Sequence, residues 1–237
     1  MKFRASQIGK IIRKPKARKK ITGESYLREL FIDQITGTHK EIGSKYFDNG
    51  NMNEQAGLQL LQDALYPKKF VSKYPSDKVL ENEWVTGHPD CVAPDGILYD
   101  IKNAYSIDTF YKAELTWEYQ WQIKSYLWLT GKKHGRLFYC LNDLPEKLIN
   151  DEKRKLFYSG GYDSEEQPEY IEACKNLEKR FKYGNLSPYE RFKVWDIELI
   201  DEDVETIKNS VKTANEVLNN MEEERQELII KNKKLLK

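Results

Sequence analysis

The sequence predicts an α/β (or α+β) fold in which a central mixed β-sheet is flanked by helices. The predicted elements follow in the order α, α, α, β, β, α, β, which is not the order of a helical bundle. Hydrophobic residues make up 39% of the 237 positions and aromatic residues 12%, which suits a folded chain with a core. A long apolar stripe near the end of the chain adds a long C-terminal helix.

Three helices are predicted in the first part of the chain. Apolar residues recur at helical spacing over residues 5–12, 25–35 and 46–65. Residues that favour a helix end follow these segments, namely Pro15, Gly37 and Pro67.

A β-hairpin is predicted next. Residues 84–93 and 97–103 have the composition of strands, and the Pro94-Asp95-Gly96 sequence between them favours a turn. Further strands are predicted at residues 70–73 and 136–141.

The remaining elements complete one predicted domain, residues 1–237. A helix beginning at Asp108 or Thr109 and ending at Gly131 completes a catalytic core over residues 1–143. Residues 144–190 are interpreted as an insertion with two polar helical stretches separated by Ser159-Gly160-Gly161.

The last part of the chain, residues 191–237, is predicted to hold a strand and a long helix. The strand covers residues 191–199 and the helix residues 201–236. The helix carries an apolar stripe in 4-3 spacing, formed by Val204, Ile207, Val211, Ala214, Leu218 and Met221. Packing of this stripe on its own domain is favoured over a separate dimerisation coiled coil.

Several classes of protein do not fit the sequence. No apolar run approaches the ~20 residues of a membrane helix, and the N-terminus lacks the apolar region of a secretory signal. Cys91, Cys140 and Cys174 lie too far apart for a zinc ribbon, an iron–sulfur cluster or a disulfide framework. We therefore expect a cytoplasmic protein without such centres and with no membrane partner.

Charged residues inside the predicted hairpin point to chemistry. If Ala93 lies opposite Ile97, then Asp90 lies opposite Asp100 and His88 opposite Lys102, all on one face of the hairpin. Two facing carboxylates repel one another, and a divalent cation such as Mg²⁺ or Mn²⁺ relieves that repulsion. The alternative is a surface hairpin whose charges are merely solvated.

Polar residues on two predicted helices add to this set. Glu54 precedes the apolar stripe of the third helix, while Gln122 and Tyr126 lie four residues apart on the later one. Taken alone, each is better interpreted as an ordinary solvated or amphipathic position. Their order around the hairpin favours a site.

The first 20 residues are strongly basic, with nine Lys or Arg and no acidic residue. Such a segment is typical of contact with phosphate, and a solvated arm is the alternative.

Four stretches of the sequence resemble the PD-(D/E)XK nuclease superfamily and, more narrowly, the phage lambda exonuclease and YqaJ-type viral recombinase family. They are FRASQIGKIIRKP, GNMNEQAG, GHPDCVAPDGILYDIKN and QIKSYLWLTG. They resemble the family's I-T-A-S segment, its G-x-x-x-E helix, its S-P-D-G…E-x-K hairpin and its Q-x-Q-Y-x-M-W-V-T helix, respectively. Their common order is more specific than any one of them.

The resemblance implies a restriction-endonuclease-like core with a magnesium site, at which Mn²⁺ substitutes. It implies that the metal is held by Glu54, Asp90, Asp100 and the backbone carbonyl of Ile101. It further implies that Lys102 is the catalytic lysine and that Gln122 assists it. The residues implied or suggested by position to contact DNA phosphate are Ser6, Arg4, Arg13, His88 and Tyr126.

The implied activity is hydrolysis of linear double-stranded DNA in the 5′→3′ direction during phage-type recombination. The implied assembly is a ring-shaped homo-oligomer (a trimer or tetramer) that works with a single-strand annealing protein in the host cytoplasm. The alternatives are a structure-specific or RecB-like endonuclease, or a non-cleaving DNA-binding or assembly protein on the same fold.

This sequence departs from the family pattern at two places. The E-x-K of the lambda relative is Asp100-Ile101-Lys102 here, which the superfamily motif permits. His88 stands where that relative has a serine, and both a phosphate contact and a packing role remain open for it.

Overall fold

The computed structural model describes residues 1–15, 22–38, 45–75 and 78–235. Two sequence-based predictions lie partly outside these ranges: the basic residues 16–20 of the N-terminal segment, and the last predicted position of the terminal helix, residue 236.

The described residues form eight α-helices, a 3-10 helix at Pro188–Glu190 and eight strands. The helices are α1 (Ala5–Ile11), α2 (Glu24–Thr36), α3 (Lys45–Leu65), α4 (Ile107–Lys112), α5 (Trp117–Thr130), α6 (Glu146–Gly160), α7 (Pro168–Lys179) and α8 (Asp201–Lys234). The strands are β1 (Phe3–Arg4), β2 (Ser72–Lys73), β3 (Leu80–Glu81), β4 (Val85–Gly87), β5 (Cys91–Val92), β6 (Leu98–Asn103), β7 (His134–Cys140) and β8 (Phe192–Glu198).

The strands form two mixed sheets. The larger has the order β2-β5-β6-β7-β8, with a parallel β6–β7 pair and antiparallel pairs elsewhere. The smaller has the order β1-β4-β3, with β1 parallel and β3 antiparallel to β4. The predicted α/β class with a mixed sheet, flanking helices and a long C-terminal helix is confirmed.

Helices cover both faces of the larger sheet. On one face, Leu61 of α3 packs with Tyr99 and Ile101 of β6. On the other face, Ile123 of α5 packs with Leu98. The central strands are therefore buried on both sides, as their nearly continuous apolar sequence requires.

The hairpin keeps its predicted register but not its predicted length. Cys91 pairs with Tyr99 and Val92 with Leu98, as expected. However, residues 84–93 do not form one strand, because pairing is absent at residues 88–90. Pro89 has no N–H to donate to a sheet ladder, which explains why the strand is interrupted there.

The predicted helix from residue 108 to Gly131 is also wrong as a single element. It is two helices, α4 and α5, separated by residues 113–116. Thr116 starts the second helix by accepting a hydrogen bond from Tyr119 N at 3.2 Å. Gly131 ends it in a left-handed conformation, as expected for a helix C-terminus.

The terminal helix packs on its own domain, as favoured from the sequence. Its stripe meets α1 and α2 in one buried cluster that includes Ile8, Leu27, Ile207 and Val211. Within the described ranges, no helix has the length and apolar content needed to cross a membrane.

Candidate active site

Asp100 lies at the centre of the site, on β6 beneath α5. Its side chain is fully buried, and its Oδ1 accepts a hydrogen bond from Gln122 Nε2 at 3.1 Å. Its Oδ2 lies 2.6 Å from Lys102 Nζ but has no hydrogen-bond partner of acceptable geometry. This buried oxygen is therefore held by an ion pair alone, and a divalent cation could take the place of the ammonium there.

Asp90 lies beside Asp100, where strand pairing has stopped. Its Oδ2 accepts a hydrogen bond from the backbone N–H of Ile101 at 2.6 Å. The side chain thus takes the place that a neighbouring strand would otherwise occupy. In the hairpin register, Pro89 falls opposite Ile101. Because proline has no N–H, it cannot donate a hydrogen bond to the Ile101 carbonyl.

The carboxyl of Asp90 is affected by the charge of Asp100. Burial and, to a lesser extent, the neighbouring charge of Asp100 raise the pKa of Asp90 to about 7, against the opposing effects of Lys102 and the Ile101 N–H. Glu54 adds a smaller contribution in the same direction. Burial is the largest cause of the raised pKa, and the nearby carboxylates add to it.

Lys102 points to the same side of β6 as Asp100. Burial acts to lower the pKa of Lys102, but the carboxylates of Asp100 and Asp90 outweigh it and the pKa is raised. Its Nζ also lies 5.6 Å from the ring centroid of Tyr119 on α5. Its ammonium group is consequently held in the charged form.

Gln122 and Tyr126 line the side of the site that α5 covers. Gln122 Nε2 donates to Asp100 Oδ1 and to the Tyr126 hydroxyl, the latter at 3.0 Å. Both side chains are buried. A Cβ atom at Gly87 would lie 2.6 Å from Tyr126 Cε1, so only glycine allows β4 to approach the Tyr126 ring this closely.

Glu54 approaches from α3, which covers the opposite face of the sheet. Its Oε1 forms a salt bridge of 2.7 Å with Lys73 Nζ on β2. Among the described residues there is no group of three or more acidic, histidine or cysteine side chains arranged to hold a metal ion. The structure thus brings Asp90, Asp100 and Lys102 together, while Glu54 is engaged by a lysine beside them.

The residues suggested for DNA contact differ in exposure. Ser6, Arg4 and Arg13 are exposed on or beside α1, whereas Tyr126 is buried. Helix α1 packs closely on α5, because a Cβ atom at Gly9 would lie 2.7 Å from Glu118 Cα.

His88 is turned toward a neighbouring loop. Its Nε2 lies 2.8 Å from the Pro75 carbonyl oxygen, and its ring meets Tyr74 edge-on at 5.6 Å between centroids. The predicted pairing of His88 with Lys102 does not form, because residues 88–90 have left the ladder.

Sequence reasoning missed a buried amide network that joins α3 to β6. Asn103 Nδ2 donates to the Asn53 carbonyl at 3.3 Å, and Asn103 Oδ1 accepts from Asn142 Nδ2 at 2.8 Å. Asn49 Nδ2 donates to the Ala104 carbonyl at 3.1 Å. The available signal was the pair Asn49 and Asn53, one turn apart on the core side of a helix. The contact of Lys73 with Glu54 was also missed, because a single lysine on a two-residue edge strand belongs to no recognisable sequence motif.

Two solved structures share this fold over nearly their whole length. The phage-related exonuclease from Haemophilus somnus 129PT has a TM-score of 0.73 and 22% identity, covering 95% of this chain and 96% of that one. The alkaline exonuclease LHK-Exo from Laribacter hongkongensis has a TM-score of 0.60 and 16% identity, covering 97% of this chain and 94% of that one. Its complex with dAMP has the same TM-score and 17% identity.

No protein-family model matches the sequence, and a search of curated proteins gives no match either. Similarity at these identities concerns the fold, and it agrees with the fold implied by the four sequence motifs. The chain has the fold of the phage-related and alkaline exonucleases.

Proposed function

We propose that this protein is a metal-dependent deoxyribonuclease, an exonuclease that hydrolyses linear double-stranded DNA from the 5′ end with Mg²⁺. The observation that carries the proposal is the buried Asp100, with one oxygen fixed by Gln122 and the other beside Lys102 and without a directed donor. The exonuclease fold supports the reaction class. The polarity and the preference for DNA ends rest on the family resemblance.

The donors present fit a hard divalent cation. Asp100 Oδ2 is held by an ion pair with Lys102 and by no directed hydrogen bond, and burial together with the charge of Asp100 raises the pKa of Asp90. Asp90, Asp100 and the Ile101 carbonyl would hold Mg²⁺ or Mn²⁺, with Glu54 completing the set once it leaves Lys73. A bound cation supplies Lewis-acid chemistry: it neutralises the phosphate and acidifies water.

Lys102 acts as a permanently charged group in this proposal. Since its pKa is raised, it stays protonated and donates to the phosphate oxygens on which negative charge grows during hydrolysis. It does not serve as the general base.

We assign Gln122 and Tyr126 the role of orienting the Asp100 carboxylate. Gln122 donates to Asp100 Oδ1, so the cation would bind at Oδ2 in place of the Lys102 ammonium, while the Tyr126 hydroxyl accepts the second N–H of the same amide. A fixed carboxylate loses little freedom when the cation binds.

The proposed substrate contacts extend over α1. Ser6 is assigned to the terminal 5′-phosphate, and Arg4 and Arg13 to the adjoining phosphates. We further propose a homo-oligomer and a single-strand annealing protein as partners, as the resemblance implies.

The test compares wild type with Lys102→Met on 5′-phosphorylated linear duplex DNA and on covalently closed circles. We expect wild type to degrade only the linear DNA and only with Mg²⁺ or Mn²⁺. Lys102→Met should lose at least a hundredfold in the hydrolysis rate while its binding to linear DNA stays within about threefold. Cleavage of circles would indicate an endonuclease, and binding without cleavage by wild type would indicate the non-cleaving alternative. Wild-type rates in Lys102→Met would refute the site assignment.

A further inference from the structure

The salt bridge between Lys73 and Glu54 is built into the edge of the candidate site. Lys73 lies on edge strand β2, where its Cα partner is Cys91, the residue that follows Asp90. The next residue, Tyr74, donates its backbone N–H to the Asp90 carbonyl at 2.8 Å. The strand that carries Lys73 is therefore fixed directly to the backbone of a proposed metal ligand.

The two lysines of the site each neutralise one carboxylate. Lys102 lies 2.6 Å from Asp100, and Lys73 lies 2.7 Å from Glu54. Their burial differs: Asp100 is 1% exposed at its side chain, whereas Lys73 and Glu54 are 45% and 42% exposed. An exposed ion pair contributes little free energy, so the outer pair is the one that can open at low cost.

We propose that Lys73 is the counter-ion of Glu54 in the metal-free protein and that an incoming divalent cation displaces it. This inference rests on the proposed function, which assigns the cation to Glu54, Asp90 and Asp100. Lys73 neutralises the Glu54 carboxylate while no cation is bound. The lysine side chain is flexible and its ammonium is well hydrated, so it is readily released into water.

Release of Lys73 has a consequence for the substrate. The freed ammonium stays on the strand that is bonded to Asp90, at the edge of the site. Metal binding thus releases a mobile positive charge there, and positive charge near phosphate strengthens DNA binding without regard to sequence. Toward the metal, Lys73 is a positioning residue, because it acts through Glu54.

The test is calorimetric titration of the DNA-free protein with Mn²⁺, which needs no catalytic activity. Lys73→Met should bind Mn²⁺ about two- to fivefold more tightly than wild type, the factor expected for loss of an exposed competing ion pair. Lys73→Arg keeps the charge and should stay within about twofold of wild type. The matched control is Lys2→Met, which removes a similar exposed pair with Glu81 (3.1 Å, with side chains 42% and 59% exposed).

A double-mutant cycle shows whether the effect passes through Glu54. In a Glu54→Gln background, Lys73→Met should give no further gain in Mn²⁺ affinity. Equal or weaker binding by Lys73→Met, a gain that persists without the Glu54 charge, or no Mn²⁺ binding by either protein would overturn the inference. If wild type degrades DNA with Mg²⁺ but Lys73→Met shows no gain, the inference alone fails. If Lys73→Met shows the gain but no variant degrades DNA, the proposed function alone fails.

Discussion

At the scale of single residues, the structure separates two carboxylates that look alike in sequence. Asp100 has one oxygen fixed by Gln122 and the other beside Lys102, whereas the charge of Asp90 is stabilised by the Ile101 N–H and by the electrostatic effect of Lys102. The sequence predicted that Asp90, Asp100 and Lys102 would share one side of the hairpin, because side chains alternate along a strand. It did not predict that Glu54 would pair with Lys73, since that contact depends on how α3 crosses the sheet.

The ionisation of Asp90 predicts an unusual pH dependence of stability. Its pKa is raised from 3.8 to about 7 in the folded protein. The folded state therefore binds this proton more tightly than the unfolded state, and stability falls as the pH rises from about 4 to 7. Above about pH 7, Asp90 is ionised in both the folded and the unfolded state, and the loss of stability no longer changes with pH.

Asp90→Asn removes the negative charge, and the amide oxygen of the asparagine can still accept the hydrogen bond from the Ile101 N–H. Without divalent cations, we expect the variant to be more stable than wild type by about 1–3 kcal/mol at pH 8, with the difference vanishing near pH 4. Urea denaturation in EDTA at both pH values measures it. A difference that does not change with pH would contradict the assigned ionisation, and added Mg²⁺ should favour wild type over the variant.

At the scale of elements, segments with a clear periodic pattern were predictable and the two-residue strands of the smaller sheet were not. Helices α3 and α8 were predicted to within about two residues, because many apolar positions repeat with one period. Strands β1 and β3 have two residues each and were not predicted, since only pairing with β4 makes them strands. The break between α4 and α5 was missed because Thr116 is a weaker signal than glycine or proline.

The contact between α1 and α5 gives a prediction at this scale. Gly9→Ala would place a methyl group 2.7 Å from the backbone of Glu118, so the two helices must separate. We expect a loss of about 1–3 kcal/mol in the free energy of unfolding, larger than the gain in helix propensity of about 1 kcal/mol.

Gly50→Ala in α3 is the matched control, because no described residue comes within 4 Å of its added methyl group. It should stabilise the protein by about 0.5–1 kcal/mol. Since α1 carries Ser6, Gly9→Ala should also raise the KM for linear DNA, whereas Gly50→Ala should not. Equal stability of the two variants would show that α1 and α5 are not in close contact.

At the scale of the whole molecule, the two ends of the chain are joined in one core. Residues of α1, α2 and α8 share a buried cluster, which places the N-terminal helix against α5 and the site. The sequence predicted the apolar stripe of α8 but not its partners, because periodicity identifies a buried face without showing what covers it. The mixed sheet was predictable as a class, whereas its strand order depends on long-range pairing.

Two isoleucines of α8 provide a comparison for this packing. Ile207→Ala should lower the free energy of unfolding by about 2–5 kcal/mol, because its side chain is fully buried among α1 and α2. Ile230→Ala, at a position that is 53% exposed, should change it by less than about 0.5 kcal/mol. Thermal and urea unfolding measure both, and a similar loss at the two positions would mean that α8 does not pack as described.

We propose that Asp100 and Asp90 bind a divalent cation beside a protonated lysine. An anomalous difference map from crystals soaked in Mn²⁺ would show whether they do. We expect a peak about 2.1 Å from Asp100 Oδ2 and within coordination distance of Asp90. Crystals with Mn²⁺ bound elsewhere, or with Asp100 Oδ2 still contacting only Lys102 at saturating Mn²⁺, would contradict it.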